Sequence, residues 1–533
     1  MAEYAIPSVY IEELHHYPVS ITSVETAIPA FIGYTEKAKR KKKNDLRNIP
    51  TLIQSIAEYE LFFGKARSGH LGILVTIDSN LSVNATIDPV KTSRYLMYYS
   101  LQLYFLNGGG SCYIISVDGY SKSEEPAYPA LKQGLDSIEK MDKITLIVFP
   151  DSINMLSGAD YYQLHKDALL QCSLLKDRFT VMDLWINPDK SDDDIYYFRE
   201  QGDLGSTDIR KYGAIYYPRI YCDLKQDYDE KKLKVMHTGH RKPIKEKLSV
   251  LKAKNAVLYE QAKNEIDKLE MLVPVSSAVT GKYVESDNAK GVWKAPTNIN
   301  IEHAIKPEKI ITDTEQASLN IDELNGKSIN IIRTFPGRGS AIIWGGRTLA
   351  GNDPEWKYVS VRRFCNMVEE SVKKGTEHFI FEPNEQKTWT QLRSETETYL
   401  INLWRAGALI GDKPSEAFFV RVGAGQTMTQ ADIDEGRLIV EIGLAIIKPA
   451  EFIILRFTHS MCTKANGSHS ISLLDINTLA ELASQHPEII QQVKKLENKL
   501  KSERVRRGSE KSKNNQIIFY GSEDGGQNLQ QAY

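Results

Sequence analysis

The residues able to carry chemistry are few, and their spacing suits no familiar site. His237-x-x-His240 is the nearest thing to a metal-ligand pair, with His15-His16 and His459 elsewhere. A zinc site wants neighbouring cysteines, or a helical HExxH with its general base. His237 and His240 sit in a lysine-rich stretch with neither, which reads as a solvated loop. Gly337-Arg338-Gly339-Ser340 and Gly423-Ala424-Gly425-Gln426-Thr427 look superficially like phosphate cradles. Neither is GxxxxGK[ST], nor a GxGxxG after a strand with an acidic residue downstream, so both read as turns. Nucleophilic chemistry fares no better. There is no GxSxG elbow, and Cys172 lies beside Leu169 and Leu175 on an apolar helix face, where it packs. No catalytic, cofactor-binding or metal-ligating residue is assigned, and no cofactor is expected.

The elements that would have to position such residues describe a layered α/β chain. Ala27 to Tyr34 reads as a strand and Ser55 to Phe63 as a short helix. Residues 69–90, rich in Ser, Asn, Thr and Gly, read as a surface insertion or hairpin. Arg94 to Leu106 is a helix pattern stopped by Asn107-Gly108-Gly109-Gly110, and Cys112 to Val117 is a continuous apolar strand. Helix patterns at Tyr128 to Met141 and Tyr161 to Asp177 then alternate with strands at Ile144 to Phe149, Phe179 to Leu184 and Tyr212 to Tyr221. Such alternation argues for a mainly parallel sheet between helices. Residues 223–270 break the rhythm with dense charge. Ile244, Leu248, Leu251, Leu258, Ala262 and Leu269 there make one apolar stripe, which predicts a single long amphipathic helix.

From Trp356 a second unit begins: helices at Val359 to Lys374 and Trp389 to Ala406, strands at Glu377 to Pro383, Ala417 to Val422, Arg437 to Ile447 and Glu451 to Thr458. This is a smaller α+β pattern. Ile476 to Leu482 and Pro487 to Leu500 are helical, followed by a basic cluster from Arg504 to Lys513 and a Gly/Gln/Asn-rich end expected to be flexible. At the other end, Ser8 to Ile11 and Val19 to Val24 are short β-like stretches too isolated to make a sheet alone. From the residues alone they are either edge strands of the first domain or strands lent to another chain.

Composition bounds the function without naming it. The 533 residues carry 67 Lys and Arg against 69 Asp and Glu, a net charge of −2, which excludes a globally basic nucleic-acid binder. The 41% hydrophobic and 26% charged fractions are those of a globular chain. The longest apolar candidate, Tyr95 to Leu106, is too short for a membrane span. The first residues show no basic flank before an apolar stretch, so no secretory signal is expected. Five scattered cysteines with no CxxC fit reduced, buried thiols in a protein made in the cytoplasm.

An ordered series of short segments carries a resemblance. They are Tyr104-Phe105-Leu106-Asn107-Gly108-Gly109-Gly110, Tyr212-Gly213-Ala214-Ile215-Tyr216-Tyr217-Pro218, Val273-Pro274-Val275-Ser276-Ser277 and Gly291-Val292-Trp293-Lys294-Ala295-Pro296. Trp344-Gly345-Gly346-Arg347-Thr348, Val361-Arg362-Arg363, Phe381-Glu382-Pro383-Asn384, Phe418-Phe419-Val420-Arg421 and Lys448-Pro449-Ala450-Glu451-Phe452 follow. Through them the chain resembles the contractile tail sheath family of phage tails and phage-tail-like injection systems.

The resemblance implies a subtilisin-like α/β core domain without catalytic residues, plus a C-terminal α+β sheath domain and extended terminal arms. On that basis residues 1–27 are an N-terminal arm, 28–355 the core with insertions at 69–90 and 223–270, 356–459 the C-terminal domain, and 460–533 an extension. The strand-linked Asp, His-Gly and Gly-Thr-Ser-x-Ala elements that a subtilisin-type peptidase requires are missing from the core. Arm strands paired between subunits are expected at Val9, Tyr10, Ile11, Ile21 and Val24, and at Phe452, Ile454, Leu455 and Phe457 of strand 451–458. Charged, breakable contacts to an inner tube are expected on the helix bearing Arg393, Glu395, Glu397 and Arg405. The implied partners are further copies in stacked hexameric rings, the tube, and baseplate and terminator proteins, with no nucleic acid and no membrane insertion. Assembly is expected in the bacterial cytoplasm, in a particle either released or kept cell-anchored.

Overall fold

The computed structural model describes residues 21–89, 91–120, 125–187, 194–238 and 244–451. Its first third runs β1 (Pro29–Thr35), β2 (Thr51–Ile53), α1 (Ile56–Phe63), β3 (Ile73–Ile77), β4 (Val83–Ile87), α2 (Met97–Leu106) and β5 (Cys112–Gly119). Then come α3 (Tyr128–Asp136), β6 (Leu146–Val148), α4 (Gly158–Leu175), β7 (Phe179–Asp183), α5 (Asp194–Glu200), α6 (Thr207–Arg210), β8 (Gly213–Tyr217) and β9 (Ile220–Cys222). Next are β10 (Lys234–His237), β11 (Ile244–Lys247), α7 (Leu248–Lys254), α8 (Ala256–Asp267), β12 (Met271–Val273) and α9 (Ser276–Lys290). These are followed by β13 (Ile299–Asn300), β14 (Ala304–Pro307), α10 (Asp313–Asn320), β15 (Asn330–Phe335) and β16 (Gly339–Trp344). The remainder is α11 (Val359–Gly375), α12 (Gln386–Arg405), α13 (Pro414–Ala417), β17 (Phe418–Arg421), α14 (Gln430–Asp434) and β18 (Glu441–Leu444).

Nine strands form one sheet in the order β13-β16-β15-β8-β7-β6-β1-β5-β2. The six from β15 to β5 run parallel, and antiparallel strands close both margins. The central strands are continuously apolar because both faces are covered. Phe31, Ile114, Leu146, Val148 and Val181 face one core with α1, α2 and α9; Ile32, Ile115, Ile147 and Met182 face another with α3 and α4. The expected alternating, mainly parallel architecture is therefore present.

Two buried carboxylates at strand ends seat helices on this sheet. Asp151, just after β6, accepts from the N–H groups of Tyr34 (2.7 Å), Leu96 (2.6 Å) and Met97 (2.9 Å), fixing the start of α2. Asp183 at the end of β7 accepts from Val275 and Ser276 (2.8 and 2.9 Å) and does the same for α9. Each satisfies donors that an uncapped helix start leaves orphaned. Further along, α2 and α9 touch so closely at Gly281 that a Cβ there would lie 2.6 Å from the Tyr104 carbonyl oxygen.

Residues 223–270 do not form the single long helix their apolar stripe predicts. They contain β10, β11, α7 and α8, and the helix breaks at Asn255, whose Oδ1 accepts from Val257 and Leu258 N–H to start α8 afresh. The stripe is real, but it faces a sheet built with the other insertion. Strands β11-β10-β3-β4 form one four-stranded sheet, joined by the parallel pair β10–β3. Ile73, Val75, Ile77, Val235, Leu248, Leu251, Leu258 and Ala262 close a separate core beneath α7 and α8.

The C-terminal residues make a further core from α11, α12 and the β17–β18 pair, around Phe364, Met367, Tyr399, Leu400 and Val420. The strand expected at Glu377 to Pro383 is instead a short 3₁₀ turn followed by an exposed loop. The strand expected over Arg437 to Ile447 narrows to Glu441–Leu444, opposite Phe418–Arg421.

Candidate assembly interface

Among the described residues, a Ser–His arrangement resembling a catalytic pair is sealed. Ser152 Oγ lies 3.3 Å from His165 Nε2, but the two residues are only 2% and 1% exposed. Phe149 and Tyr161 pack against the imidazole, and burial pulls its pKa down to about 3. No substrate reaches such a pair. The His237 imidazole is held by Glu246 (2.6 Å) across β10 and β11, while His240 lies outside the described residues. Among the described residues no three His, Cys, Asp or Glu side chains are grouped to hold a metal. Gly337 and Gly425, at φ +74° and +73°, sit in turns that need a left-handed backbone.

The segments shared in sequence meet instead at the seam between the large sheet and the C-terminal core. Arg363 of α11 makes a two-pronged contact with Asp287 of α9 (3.1 and 2.6 Å), and the pair is 3% and 4% exposed. Its guanidinium also donates to the Thr26 carbonyl (3.0 Å) and covers the Tyr283 ring, while Thr26 Oγ1 donates to Asp287 (2.6 Å). Trp293 packs edge-on against Phe364. Arg347 grips Glu451, the last described residue, through Nε (2.8 Å) and Nη2 (2.5 Å). That ion pair raises the Arg347 pKa and holds the Glu451 carboxyl below its usual value against the opposing effect of burial.

Of the expected arm residues, Val9, Tyr10, Ile11, Phe452, Ile454, Leu455 and Phe457 lie outside the described residues. Ile21 and Val24 are described and form no strand. Ile21 is buried in the C-terminal core against Gly375, and Val24 N–H donates to Ser371 Oγ (3.0 Å). Their apolar side chains are thus used inside their own chain. Beside them Val24, Thr26, Thr145, Phe179, Asn366 and Lys374 help line a cavity of about 310 Å³.

The expected tube-facing residues divide. Arg393 and Glu397 lie on the outer face of α12, paired at 2.7 Å, and Arg405 is exposed in its last turn. Arg393 and Glu397 border a groove of about 340 Å³ with Trp389, Val422 and Gln426. Glu395 is different: it is 9% exposed, accepts from Gln391 (3.0 Å) and faces His378. It is two residues from both Arg393 and Glu397, about 200° around the helix, which turns it inward and away from a surface contact. Sequence reading missed that β17 and β18 stand as a sheet of only two strands, with both outer edges unladdered among the described residues.

Comparison with known proteins decides what this seam belongs to. The family profile of the phage tail sheath C-terminal domain matches residues 351–460, which contain α11, α12 and the two-stranded sheet. The tail sheath protein of Enterobacteria phage T4 is 27% identical over 128 residues, covering 24% of this chain and 19% of that protein. That of Vibrio phage KVP40 is 23% identical over 186 residues, covering 35% and 26%. Two solved structures match far more: the helical sheath of the anti-feeding prophage in its contracted state (29% identity, TM-score 0.57) and the contracted sheath complex of the extracellular contractile injection system PVC (27%, 0.55). Each covers 86% of this chain and 99% of the matched one. Residues 351–460 thus resemble the sheath C-terminal domain, and most of the chain is similar to solved contractile sheath proteins. The 351–460 match begins in the run just before α11 and includes Glu451 but not Arg347, so the Arg347–Glu451 contact crosses its first boundary. The curated phage relatives are matched over only about a fifth to a quarter of their length.

Proposed function

We propose that the chain is the protomer of a contractile sheath. It polymerises helically around an inner tube in a metastable extended state, then shortens and drives the tube through a target envelope. The observation that carries this reading is the match of 86% of the chain to sheaths solved in the contracted state. The large domain serves as a subtilisin-like scaffold rather than a peptidase, a reading supported by the sealed Ser152–His165 pair. Its partners are further copies in hexameric rings, the tube, and baseplate and terminator proteins, within a phage-tail-like particle assembled in the cytoplasm.

The arms do the linking. Val9, Tyr10 and Ile11 of one neighbour, and Phe452, Ile454, Leu455 and Phe457 of another, extend the β17–β18 pair. A two-stranded sheet is marginal alone and gains from added strands. Main-chain ladders tolerate rotation of the bodies they connect, so subunits stay joined while their other contacts repack. Arg393, Glu397 and Arg405 supply the releasable tube contact, because exposed charges hold a partner weakly. Each protomer contributes a few kcal/mol, as bistable elements do, and the polymer adds these into a stroke.

Deleting residues 1–20 tests the arm. The deletion stops there because Ile21 and Val24 are already fastened to α11. The shortened chain should keep its circular dichroism and melting temperature yet form no tubes by negative-stain microscopy. Normal tubes from it would refute the arm linkage.

A further inference from the structure

After its last strand the chain crosses from the C-terminal core to the large sheet, and one ion pair fixes where it lands. As far as Ile447 it is laced to the C-terminal core. Ala445 N–H donates to the Ala417 carbonyl (2.8 Å), Ile410 N–H to the Ala445 carbonyl (2.7 Å) and Ile447 N–H to the Ala408 carbonyl (3.2 Å). The Lys448 ammonium then reaches the Pro354 carbonyl (3.1 Å). Four residues past Ile447, Glu451 sits in the fork of Arg347, the two side chains being 18% and 6% exposed. A two-pronged pair of this kind fixes direction as well as distance.

The base of this clamp is rigid without Glu451. Asn330 of β15 accepts from the Arg347 N–H and donates to the Arg347 carbonyl (2.8 Å each), and its amide also donates to the Ile215 carbonyl of β8 (3.1 Å). Two residues on, Leu349 N–H donates to the Gly213 carbonyl of β8 (2.8 Å). Arg347 Nη1 donates to the Gly351 carbonyl (3.2 Å), which aims the guanidinium from within its own loop. Arg347 therefore keeps its place through β15 and β8, and what the ion pair adds is a fixed position for Glu451. The two ends are rooted on different bodies: Ile21 and Val24 on α11 of the C-terminal core, Glu451 on the large sheet.

We propose that Arg347 is a positioning residue for the link between copies: by clamping Glu451 to the large sheet, it sets the place and direction from which residues 452–458 reach a neighbour. The inference rests on the reading that this segment is an inter-subunit strand. Without the clamp the arm swings from Ile447, four residues further back, and sweeps directions in which it meets no neighbour. A fixed root removes that freedom before binding and raises the effective concentration of the strand at the neighbour's sheet. The clamp also decides what the link joins. Tension on the arm of one copy passes to its nine-stranded sheet, while the neighbour receives the strand on its β17–β18 pair.

Three full-length variants test this by melting temperature and by sedimentation of the purified chains. Arg347→Met/Glu451→Ala removes the clamp without stranding a charge, so it should melt close to wild type. It should need at least about tenfold more protein to assemble. Arg347→Lys keeps the charge but not the fork, and should recover part of that loss. Deleting residues 452–459 removes the arm itself and should abolish assembly. Wild-type assembly by Arg347→Met/Glu451→Ala, with none from the deletion, would overturn the clamp and leave the arm reading standing. Wild-type assembly by the deletion would sink the arm reading and the clamp with it. A double variant that melts well below wild type, or an Arg347→Lys chain that assembles no better than the double variant, would also overturn the proposal, since the pair would then serve the fold rather than the direction of the arm.

Discussion

Replacing Arg363 with leucine should break the seam between the two main cores. The guanidinium supplies two of the three donors to the Asp287 carboxylate, leaving Thr26 Oγ1 alone on a buried charge. Stranding one partner of a buried ion pair costs roughly 3–5 kcal/mol. The Thr26 carbonyl loses its donor as well, and the contact over Tyr283, about 1 kcal/mol at a desolvated site, disappears. Arg363→Leu/Asp287→Leu removes both charges together. It should cost about 2 kcal/mol less than the single change, because no unpaired carboxylate remains. Urea unfolding of the full chain at pH 7, followed by far-ultraviolet circular dichroism and tryptophan fluorescence, measures both. Repeating it in about 1 M salt should change little, since a buried pair is poorly screened. A single-variant loss below about 1 kcal/mol, or a double variant no better than the single, would refute this account of the seam.

Other outcomes follow from single features. Gly281→Ala should cost about 1–3 kcal/mol, because its Cβ would press on the backbone oxygens of Tyr104 and Asn107, which cannot move aside. Burial raises the pKa values of Asp151 and Asp183 to about 6 despite their N–H donors. Between about pH 4 and pH 6 the native chain therefore holds protons that the unfolded chain has released, so these groups stabilise the fold as pH falls. Between pH 7 and pH 5 the deficit of Asp151→Asn relative to wild type should widen by about 1.3 kcal/mol; a constant or shrinking deficit in urea titrations would contradict this. Cys112, Cys172, Cys222 and Cys365 are buried, with the Cys365 thiol pushed up to about 12 by burial. A chromogenic disulfide reagent should find at most one reactive thiol per native chain and all five after denaturation.

Local signals were legible where the sequence pattern and the packing agree. The apolar strands buried on both faces, the glycine stop after Leu106 and the helices α11 and α12 all show in composition and period. What was hidden depends on partners distant in the chain. The stripe from Ile244 to Leu269 has helical spacing, and nothing local reveals that Val235 pairs with Val75 or that Asn255 caps a new helix. Glu377 to Pro383 has strand-like residues, yet no neighbouring strand within the described chain offers it a ladder. The Val361-Arg362-Arg363 motif was visible as a resemblance, but only the structure gives Arg363 its partner in Asp287. For the tube-facing set, sequence supplied charge without direction, so Glu395 was grouped with its outward neighbours.

The sheet shared by the two insertions makes their folding interdependent. The hairpin β3–β4 and the segment from β10 to α8 leave the large domain at places far apart in sequence, yet each covers apolar surface the other cannot cover alone. A chain carrying only one excursion would expose half a core to water, so neither is expected to fold without the other. A graft intended to display a foreign module at this position must therefore replace both excursions at once, with the four chain crossings as its splice points.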